Sequence, residues 1–325
     1  MAGQGRVPLP IVPPPFRDER LSSWLERIAD VYLVSLDELQ AHVGWSRFAL
    51  QLEREPVQAD FECIAAATNN SVERLSAMTF QDAPSRYRRL LRSGSRESCP
   101  FCSRGLPRPQ RLKGWSFAFT FWCDRHNQPL FGSEMRGVGT LGDEASARRG
   151  SEILHHWATG RDRSVVPVRS VLSLLLLPLR RASPPAPWEL ARLPLKRQHD
   201  PTIRSRPRRR PVLIVVVPEF THAVPIYDQR LPSNIANLSD APWAERYALA
   251  IGVARVLKNP VDAIVRILEA SDEFGRQKVM TLINQWPQSV HNAVDYAGPR
   301  SRKRGTAAKR GDVSRVGRER ARTLC

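Results

Sequence analysis

Cys99-Pro-Phe-Cys102 and, after twenty intervening residues, Cys123-Asp-Arg-His126 form the stretch that decides the fold of this chain. Each pair keeps two residues between its ligands, a spacing with which Cys and His side chains converge on one tetrahedral Zn²⁺. Thiolate and imidazole suit this ion, and four protein ligands leave no open position for a substrate. The spacing therefore predicts one structural zinc site formed by Cys99, Cys102, Cys123 and His126.

The segment between the two ligand pairs is rich in aromatic residues. Trp115, Phe117, Phe119 and Phe121 alternate with smaller residues and lead into Cys123, a pattern that predicts a β-strand. A knuckle, a strand or hairpin and a second knuckle make a zinc ribbon. A redox Cys-x-x-Cys motif is disfavoured, because no βαβ context surrounds the first pair and the second pair would go unexplained.

Helical patterns precede the ribbon. One face of a first helix carries Leu21, Trp24, Leu25, Ile28 and Ala29. Ser35 and Glu38 have capping-box spacing and open a second helix, which Gly44 ends.

Two further helices are predicted at Asp60–Thr68 and Val72–Met78, separated by the turn Asn69-Asn70-Ser71. This is a helix-turn-helix pattern, whose second helix can enter the major groove of DNA. Glu73 accompanies Arg74 on the second helix, so a plain helical bundle is an equal alternative.

The C-terminal half is predicted to be mainly helical after one strand. The β-branched run Val212–Val217 predicts the strand, and helical periods follow at Trp243–Leu257, after Pro260, at Phe274–Trp286 and after Pro287. The fold class is thus mainly α with a small zinc ribbon. The predicted domains are an N-terminal helix-turn-helix module (1–84), the zinc ribbon (85–135), a helical segment (136–182), a Pro/Arg-rich linker (183–211), a C-terminal helical domain (212–298) and a disordered basic tail (299–325).

Positive charge is concentrated in three blocks. The chain has 50 basic and 32 acidic residues and a net charge of +18, yet Arg86–Lys113, Arg180–Pro211 and Arg300–Cys325 carry +8 each, which leaves −6 elsewhere. Such blocks predict local contacts with a polyanion, most simply DNA. The candidate DNA contacts in the first block are Arg86, Arg88, Arg89, Arg92, Arg104, Arg108, Arg111 and Lys113.

Several classes of protein are excluded or disfavoured. No apolar run reaches the roughly 20 residues of a membrane span, and Met1–Pro15 lacks the apolar segment of a secretory signal. We therefore expect a cytoplasmic, nucleoid-associated protein without a membrane partner. The phosphate-loop, H-E-x-x-H and G-x-S-x-G motifs of common enzymes are absent, so we predict no catalytic residues. The acid pairs Asp18/Glu19 and Asp143/Glu144 are expected to be solvated helix caps.

Four stretches, in order, resemble one protein family. Pro13-Pro-Pro-Phe-Arg-Asp-Glu19-Arg-Leu-Ser-Ser-Trp24-Leu-Glu-Arg27-Ile-Ala29 has prolines, an acid and then Ser-Trp-Leu-x-Arg-x-Ala. The helix-turn-helix pattern and the Cys/His pairs follow it, and Leu282-Ile-Asn-Gln-Trp286-Pro287 is similar to a helix near the family's C-terminal part. On these residues the chain resembles the TniQ proteins of bacterial transposons, which are related to the target selector TnsD.

The resemblance implies a non-catalytic adaptor. TniQ proteins act with an AAA+ ATPase and a DDE transposase and help to select target DNA, and some dock on an RNA-guided effector complex. In that role Trp24 and Arg27 become candidate partner-docking residues. Two alternatives stay open: a zinc-ribbon transcription regulator and an unrecognised nuclease. Whether the chain forms a homodimer is also left open.

Deletion of Arg300–Cys325 should weaken DNA binding and flatten its dependence on salt. The tail carries ten basic and two acidic residues, and each lost phosphate contact lowers the slope of log K against log salt by about 0.9. Fluorescence anisotropy with a labelled duplex over a salt series measures both quantities. An unchanged affinity and slope would rule out a DNA-binding role for the tail.

Overall fold

A computed structural model describes residues 8–92, 97–130, 141–181, 191, 195–199, 209–224 and 229–297. The fold is mainly helical, as predicted. The α-helices are α1 (Leu21–Val31), α2 (Leu36–Val43), α3 (Ala49–Leu52), α4 (Gln58–Thr68), α5 (Val72–Ala77), α6 (Ser85–Arg89), α7 (Glu144–Ala158), α8 (Val168–Leu176), α9 (Leu195–Gln198), α10 (Leu213–Val216), α11 (Phe220–Ala223), α12 (Trp243–Lys258), α13 (Pro260–Ala270), α14 (Glu273–Ile283) and α15 (Gln288–Ala297). Short antiparallel pairs join β1 (Trp122–Cys123) to β2 (Gln128–Pro129) and β3 (Pro178–Arg181) to β4 (Arg209–Pro211).

No helix in the described ranges is both long and apolar enough to cross a bilayer. The predicted basic tail and most of the predicted linker lie outside those ranges.

The N-terminal module is built on the predicted helix faces. The five apolar residues predicted to share one face of α1 are all buried in the core of the module. The capping box is present at the start of α2, where the Ser35 hydroxyl accepts from the Glu38 amide and the Glu38 carboxylate accepts from the Ser35 amide. Gly44 ends the helix with a φ of 80°, a left-handed conformation that favours glycine. The short helix α3 was not predicted from the sequence.

The turn between α4 and α5 has the expected chemistry. Asn69 ends α4 in the left-handed region, with a φ of 50°, and the Ser71 hydroxyl caps α5 by accepting from the Arg74 amide. Ile64 on α4 and Leu75 on α5 are fully buried, so the two helices pack through apolar side chains.

The strand predicted over Trp115–Phe121 is wrong. Lys113–Ser116 forms a 3₁₀ turn, and β1 contains only Trp122 and Cys123. Phe117, Phe119 and Phe121 are buried, but so is the intervening Ala118. Both sides of this segment are thus covered by the rest of the protein. The alternation of large and small residues therefore reflects core packing and not a β-strand with one solvated face.

The strand predicted over Val212–Val217 is also wrong, because the strand lies just before it, in β4. Val212, Leu213 and Val217 are buried, and the run turns into the one-turn helix α10, in which the Val217 amide donates to the Leu213 carbonyl at 2.8 Å. Core packing therefore overrides the β-propensity of the run.

Helices α7 and α12 form the centre of the larger core. Gly150 on α7 lies so close to the Ala250 carbonyl of α12 that a β-carbon at this position would overlap it. The core extends from 117–122 through 141–179 to 212–294, so the predicted segments 136–182 and 212–298 share one interior. The predicted division of the chain into domains stays a prediction.

One arginine joins three parts of this core. Arg255 on α12 donates to the Asp143 carboxylate at 2.7 Å, to the Glu219 carboxylate and to the Val216 carbonyl at 3.0 Å. Asp143 is also the N-cap of α7, as its place in the sequence suggested, and accepts from the Ser146 amide. Burial alone raises the pKa of Asp143, but the hydrogen bonds from Arg255 and Ser146 outweigh it and lower the pKa below its ordinary value.

Asp143→Asn should lower the free energy of unfolding by about 1–2 kcal/mol, because asparagine keeps the cap but loses the charge-assisted bond to Arg255. The pKa of Asp143 is lowered in the folded state. The ionised carboxylate therefore contributes its full stabilisation at pH values above its unfolded pKa of about 3.9, and this stabilisation is lost as the pH falls through the lower folded pKa. Urea denaturation of both proteins from pH 7 to pH 3 measures the difference. A difference independent of pH would contradict this role.

Candidate metal centre

Two similar turns present the four predicted ligands. In the first, the Ser103 amide donates to the Cys99 carbonyl at 3.0 Å, and Gly105 follows with a φ of 77°. In the second, the Asn127 amide donates to the Cys123 carbonyl at 2.8 Å, and Asn127 itself has a φ of 51°. Each turn folds the chain back after its second ligand, and the β1–β2 pair fixes the second turn. The local sequence thus explains how each pair is presented.

The ligand atoms of Cys99, Cys102, Cys123 and His126 all lie within 4.8 Å of one another. The Cys102 and Cys123 sulfurs are 3.7 Å apart, and His126 Nδ1 lies 3.5, 3.2 and 3.7 Å from the sulfurs of Cys99, Cys102 and Cys123. A zinc ion with bonds of about 2.3 Å to sulfur and 2.0–2.1 Å to nitrogen needs tetrahedron edges of about 3.5–3.8 Å. The cluster therefore has the size and the ligand chemistry of one zinc site.

The surroundings of the cluster are apolar on one side and polar on the other. Cys99 and Cys123 are buried against Leu112, Trp115 and Leu130, whereas the His126 ring is exposed. The apolar side excludes water from two of the thiols.

The Cys102 thiol is sensitive to its surroundings. Burial, together with the neighbouring thiols of Cys123 and Cys99, raises the pKa of Cys102 to about 12 when no metal is bound. Zinc binding would displace these protons and supply the compensating charge. The Gln110 side chain holds the turn by donating to the Cys102 carbonyl at 3.0 Å.

Half of the candidate DNA contacts between Arg86 and Lys113 are engaged within the protein. Arg108 pairs with Glu26 and Asp30 on α1, and Arg111 pairs with the same Glu26. Lys113 donates to the Ala77 carbonyl at the end of α5 at 2.7 Å. These three cations therefore attach the segment between the two ligand pairs to the helical module.

Arg92 is held in the same way, by the buried carboxylate of Glu97. Desolvation lowers the pKa of Lys113 even though nearby carboxylates oppose it. Local sequence patterns do not indicate these roles, because every partner except Glu97 is distant along the chain.

The remaining candidates lie at the surface. Arg86, Arg88 and Arg89 are on α6, Arg104 follows the first ligand pair, and all four are exposed. Arg86 also donates to the Trp157 carbonyl at 2.9 Å, at the end of α7. Within the described ranges, no ion pair involves the side chains of Arg88, Arg89 or Arg104.

The candidate docking residues have partners inside the chain. Trp24 is fully buried and its indole donates to the Pro13 carbonyl at 2.8 Å. Arg27 pairs with Glu19 at 2.8 Å and lies over the Phe16 ring. Both side chains thus hold the Pro-rich segment onto α1, and a docking role for them stays a prediction.

Glu19 is not a solvated cap, contrary to expectation. Its side chain has 0% exposure, and it accepts from the Phe16 amide at 2.9 Å and from the Ser23 hydroxyl at 3.0 Å in addition to Arg27. A buried carboxylate is tolerated because charged and polar donors surround it. The acid of the Pro13–Ala29 stretch therefore organises that stretch.

A second buried pair lies beside it. Arg20 binds Glu53 through two nitrogens, the closer at 2.7 Å, and both side chains are at most 3% exposed. Glu53 also accepts from the Ser22 amide at 2.8 Å. Sequence reasoning missed this pair, since its members are far apart along the chain and nothing in the local pattern marks them.

The backbone joins the module to the ribbon at the same place. Glu19 forms an antiparallel bridge with Leu112. The Arg20 amide donates to the Arg111 carbonyl at 3.0 Å, and the Lys113 amide to the Asp18 carbonyl at 2.8 Å. The ribbon and the helical module are therefore one connected structure.

Arg246 links the ribbon segment to the C-terminal helices. This arginine of α12 is 1% exposed, donates to the Ala241 carbonyl at 3.0 Å and also to the Ala118 carbonyl, and lies 3.5 Å from Glu97. His155 on α7 stacks edge-on against Tyr87 and Phe117.

A helical module joined to a four-ligand zinc-type ribbon defines the class of this protein. Residues 10–130 match the model of the TniQ family, so this part of the chain is a TniQ domain, as the resemblance predicted. The domain implies an accessory role in transposition. No curated protein matches the chain.

Cys99→Ser should abolish zinc binding and destabilise the ribbon, because the site would lose one of two buried thiolates. Metal analysis of the purified chain should give about one zinc per chain for the unchanged protein and none for the variant. Cys63→Ser is the matched control, since Cys63 lies in α4 outside the cluster. Full zinc occupancy in Cys99→Ser would show that the ligand set is wrong.

Proposed function

We propose that the protein is a non-catalytic accessory factor of DNA transposition that helps to select target DNA and couples it to an AAA+ ATPase and a DDE transposase. The observation that carries the proposal is the TniQ match over residues 10–130, which coincides with the helical module and the ribbon. The Cys/His cluster in this region has four protein ligands and would hold a zinc ion with a structural role.

The connected module and ribbon suit an adaptor. The ion pairs of Arg108 and Arg111 with α1 and the Glu19–Leu112 bridge join them, so surfaces on the two parts keep a fixed relation to each other. A protein that brings DNA and protein partners together benefits from such a fixed arrangement, because less conformational freedom is lost on assembly.

The helical module also exposes apolar side chains suited to a protein partner. Leu33, in the turn after α1, is 94% exposed, and Phe48, at the start of α3, is 64% exposed. Val31, Val34 and Leu50 are other exposed apolar residues in this part of the chain. Val31, Leu33 and Val34 follow one another closely along the chain, and grouped exposed apolar residues are typical of protein-binding surfaces.

The two alternatives predict different behaviour. A transcription regulator with this helix-turn-helix would protect a defined DNA site by itself. A nuclease would cleave plasmid DNA in a metal-dependent reaction as the pure protein. An accessory factor should do neither, and should give a defined footprint only with its ATPase or transposase present.

Affinity purification of the zinc-loaded full chain from cells that express the neighbouring transposition genes tests the proposal. We expect the AAA+ ATPase to co-purify and to extend the chain's footprint on target DNA. Leu33→Asp with Phe48→Asp should reduce co-purification, and Phe274→Asp, which alters an exposed aromatic residue on α14, should not. A sequence-specific footprint or plasmid cleavage by the chain alone would contradict the proposal.

A further inference from the structure

An open cavity lies at the C-terminal end of α7, outside the three basic blocks of the sequence. Its volume is about 770 Å³, and three of its eight lining residues are arginines. Arg149 on α7 and Arg161 and Arg163 in the loop after the helix are all exposed. His156 and Ser164 also line the cavity and add groups that can donate hydrogen bonds.

The loop that carries two of these arginines is fixed to the helix end. Gly160 has a φ of 76°, and its amide donates to the Trp157 carbonyl at 3.3 Å. The Arg161 amide donates to the His156 carbonyl at 2.8 Å. Because the last carbonyls of α7 are satisfied in this way, the negative end of the helix is partly neutralised and the loop conformation is set.

Arg86 on α6 contacts the same end of α7 that lines the cavity. Arg86 donates to the Trp157 carbonyl. The carbonyl of the neighbouring residue, His156, accepts from the Arg161 amide. The last turn of α7 therefore accepts hydrogen bonds from both the Arg86 side chain and the Arg161 backbone. Arg88 and Arg89 follow on the same short helix and are exposed.

We name this surface the α6–α7 basic surface. It consists of Arg86, Arg88, Arg89, Arg149, Arg161 and Arg163. Two carboxylates lie within it: Glu152, which pairs with Arg149 at 3.1 Å, and Asp162, which accepts from the Ser164 amide. Six arginines against two carboxylates leave a net charge of +4 at neutral pH.

The chemistry of the surface favours phosphates over bases. Arginine presents several donors that match phosphate oxygens. Proteins that read unpaired strands need exposed aromatic rings for base stacking, and Trp157, the large ring nearest the arginines, is only 6% exposed and lies beneath Arg86. Contacts to the backbone of a duplex position a protein on DNA without reading its sequence.

We propose that the α6–α7 basic surface binds the phosphate backbone of double-stranded DNA without sequence preference. The inference rests on the proposed function, since it locates a DNA-binding surface of the accessory factor. It extends that surface from α6, inside the TniQ domain, onto α7 and the loop after it. Arg92, Arg108, Arg111 and Lys113 are left to hold the ribbon in place.

Arg161→Ala with Arg163→Ala tests the proposal in the zinc-loaded full chain. Fluorescence anisotropy with a labelled duplex of mixed sequence should show affinity reduced by about 10-fold or more and a salt slope lower by about 2, because two phosphate contacts are lost. Arg161→Lys with Arg163→Lys should retain most of the affinity, since the positive charges remain.

Arg266→Ala with Lys278→Ala is the matched control. It removes the same charge from exposed positions on α13 and α14 and should leave affinity and slope nearly unchanged. Equal losses in both double variants, or tighter binding of single-stranded DNA than of the duplex, would overturn the proposal. Co-purification of the ATPase separates the outcomes: if it persists while Arg161→Ala/Arg163→Ala binds DNA normally, this surface is wrong and the accessory function stands.

Discussion

Two buried carboxylates, Glu19 and Glu53, hold the N-terminal part of this protein together. Each is paired with an arginine and receives further hydrogen bonds from the start of α1. Removing one partner of such a pair typically costs 3–5 kcal/mol, because a buried charge is left without compensation. The Pro-rich segment, the first turn of α1 and the end of α3 therefore depend on these two groups for their relative positions.

The same region determines what the positive charge of the sequence does. Glu19 is bridged to Leu112, and the flanking Arg111 and Lys113 direct their charges to Glu26 and to the end of α5. The block Arg86–Lys113 has a formal charge of +8, but part of this charge is engaged in contacts within the protein. Net charge counts cations without regard to their partners, so it overstates how much of a basic block is available to DNA.

Much of the fold could be predicted from local patterns. The face of α1, the capping box at Ser35 and the ligand spacing from Cys99 to His126 depend on residues close in sequence, and each appears as expected. The strand predictions at Trp115–Phe121 and Val212–Val217 were wrong. The apolar residues of both segments pack into the core, so their sequence pattern reflects core packing and not a pleated strand. The Arg20–Glu53 pair and Arg246 were missed because tertiary contacts alone bring their partners together.

The zinc ion and the tertiary contacts would constrain the ribbon in different ways. Four ligands on one zinc ion would fix the two turns relative to each other but would not orient the ribbon against its neighbours. That orientation comes from the 19–112 bridge on one side and from Arg246, which reaches Ala118 from α12, on the other. Since α7 packs against α12 and also contacts α6, the arginines at the end of α7 are held in a defined position relative to the TniQ domain. A DNA duplex bound there would consequently lie at a fixed position with respect to any partner on the helical module.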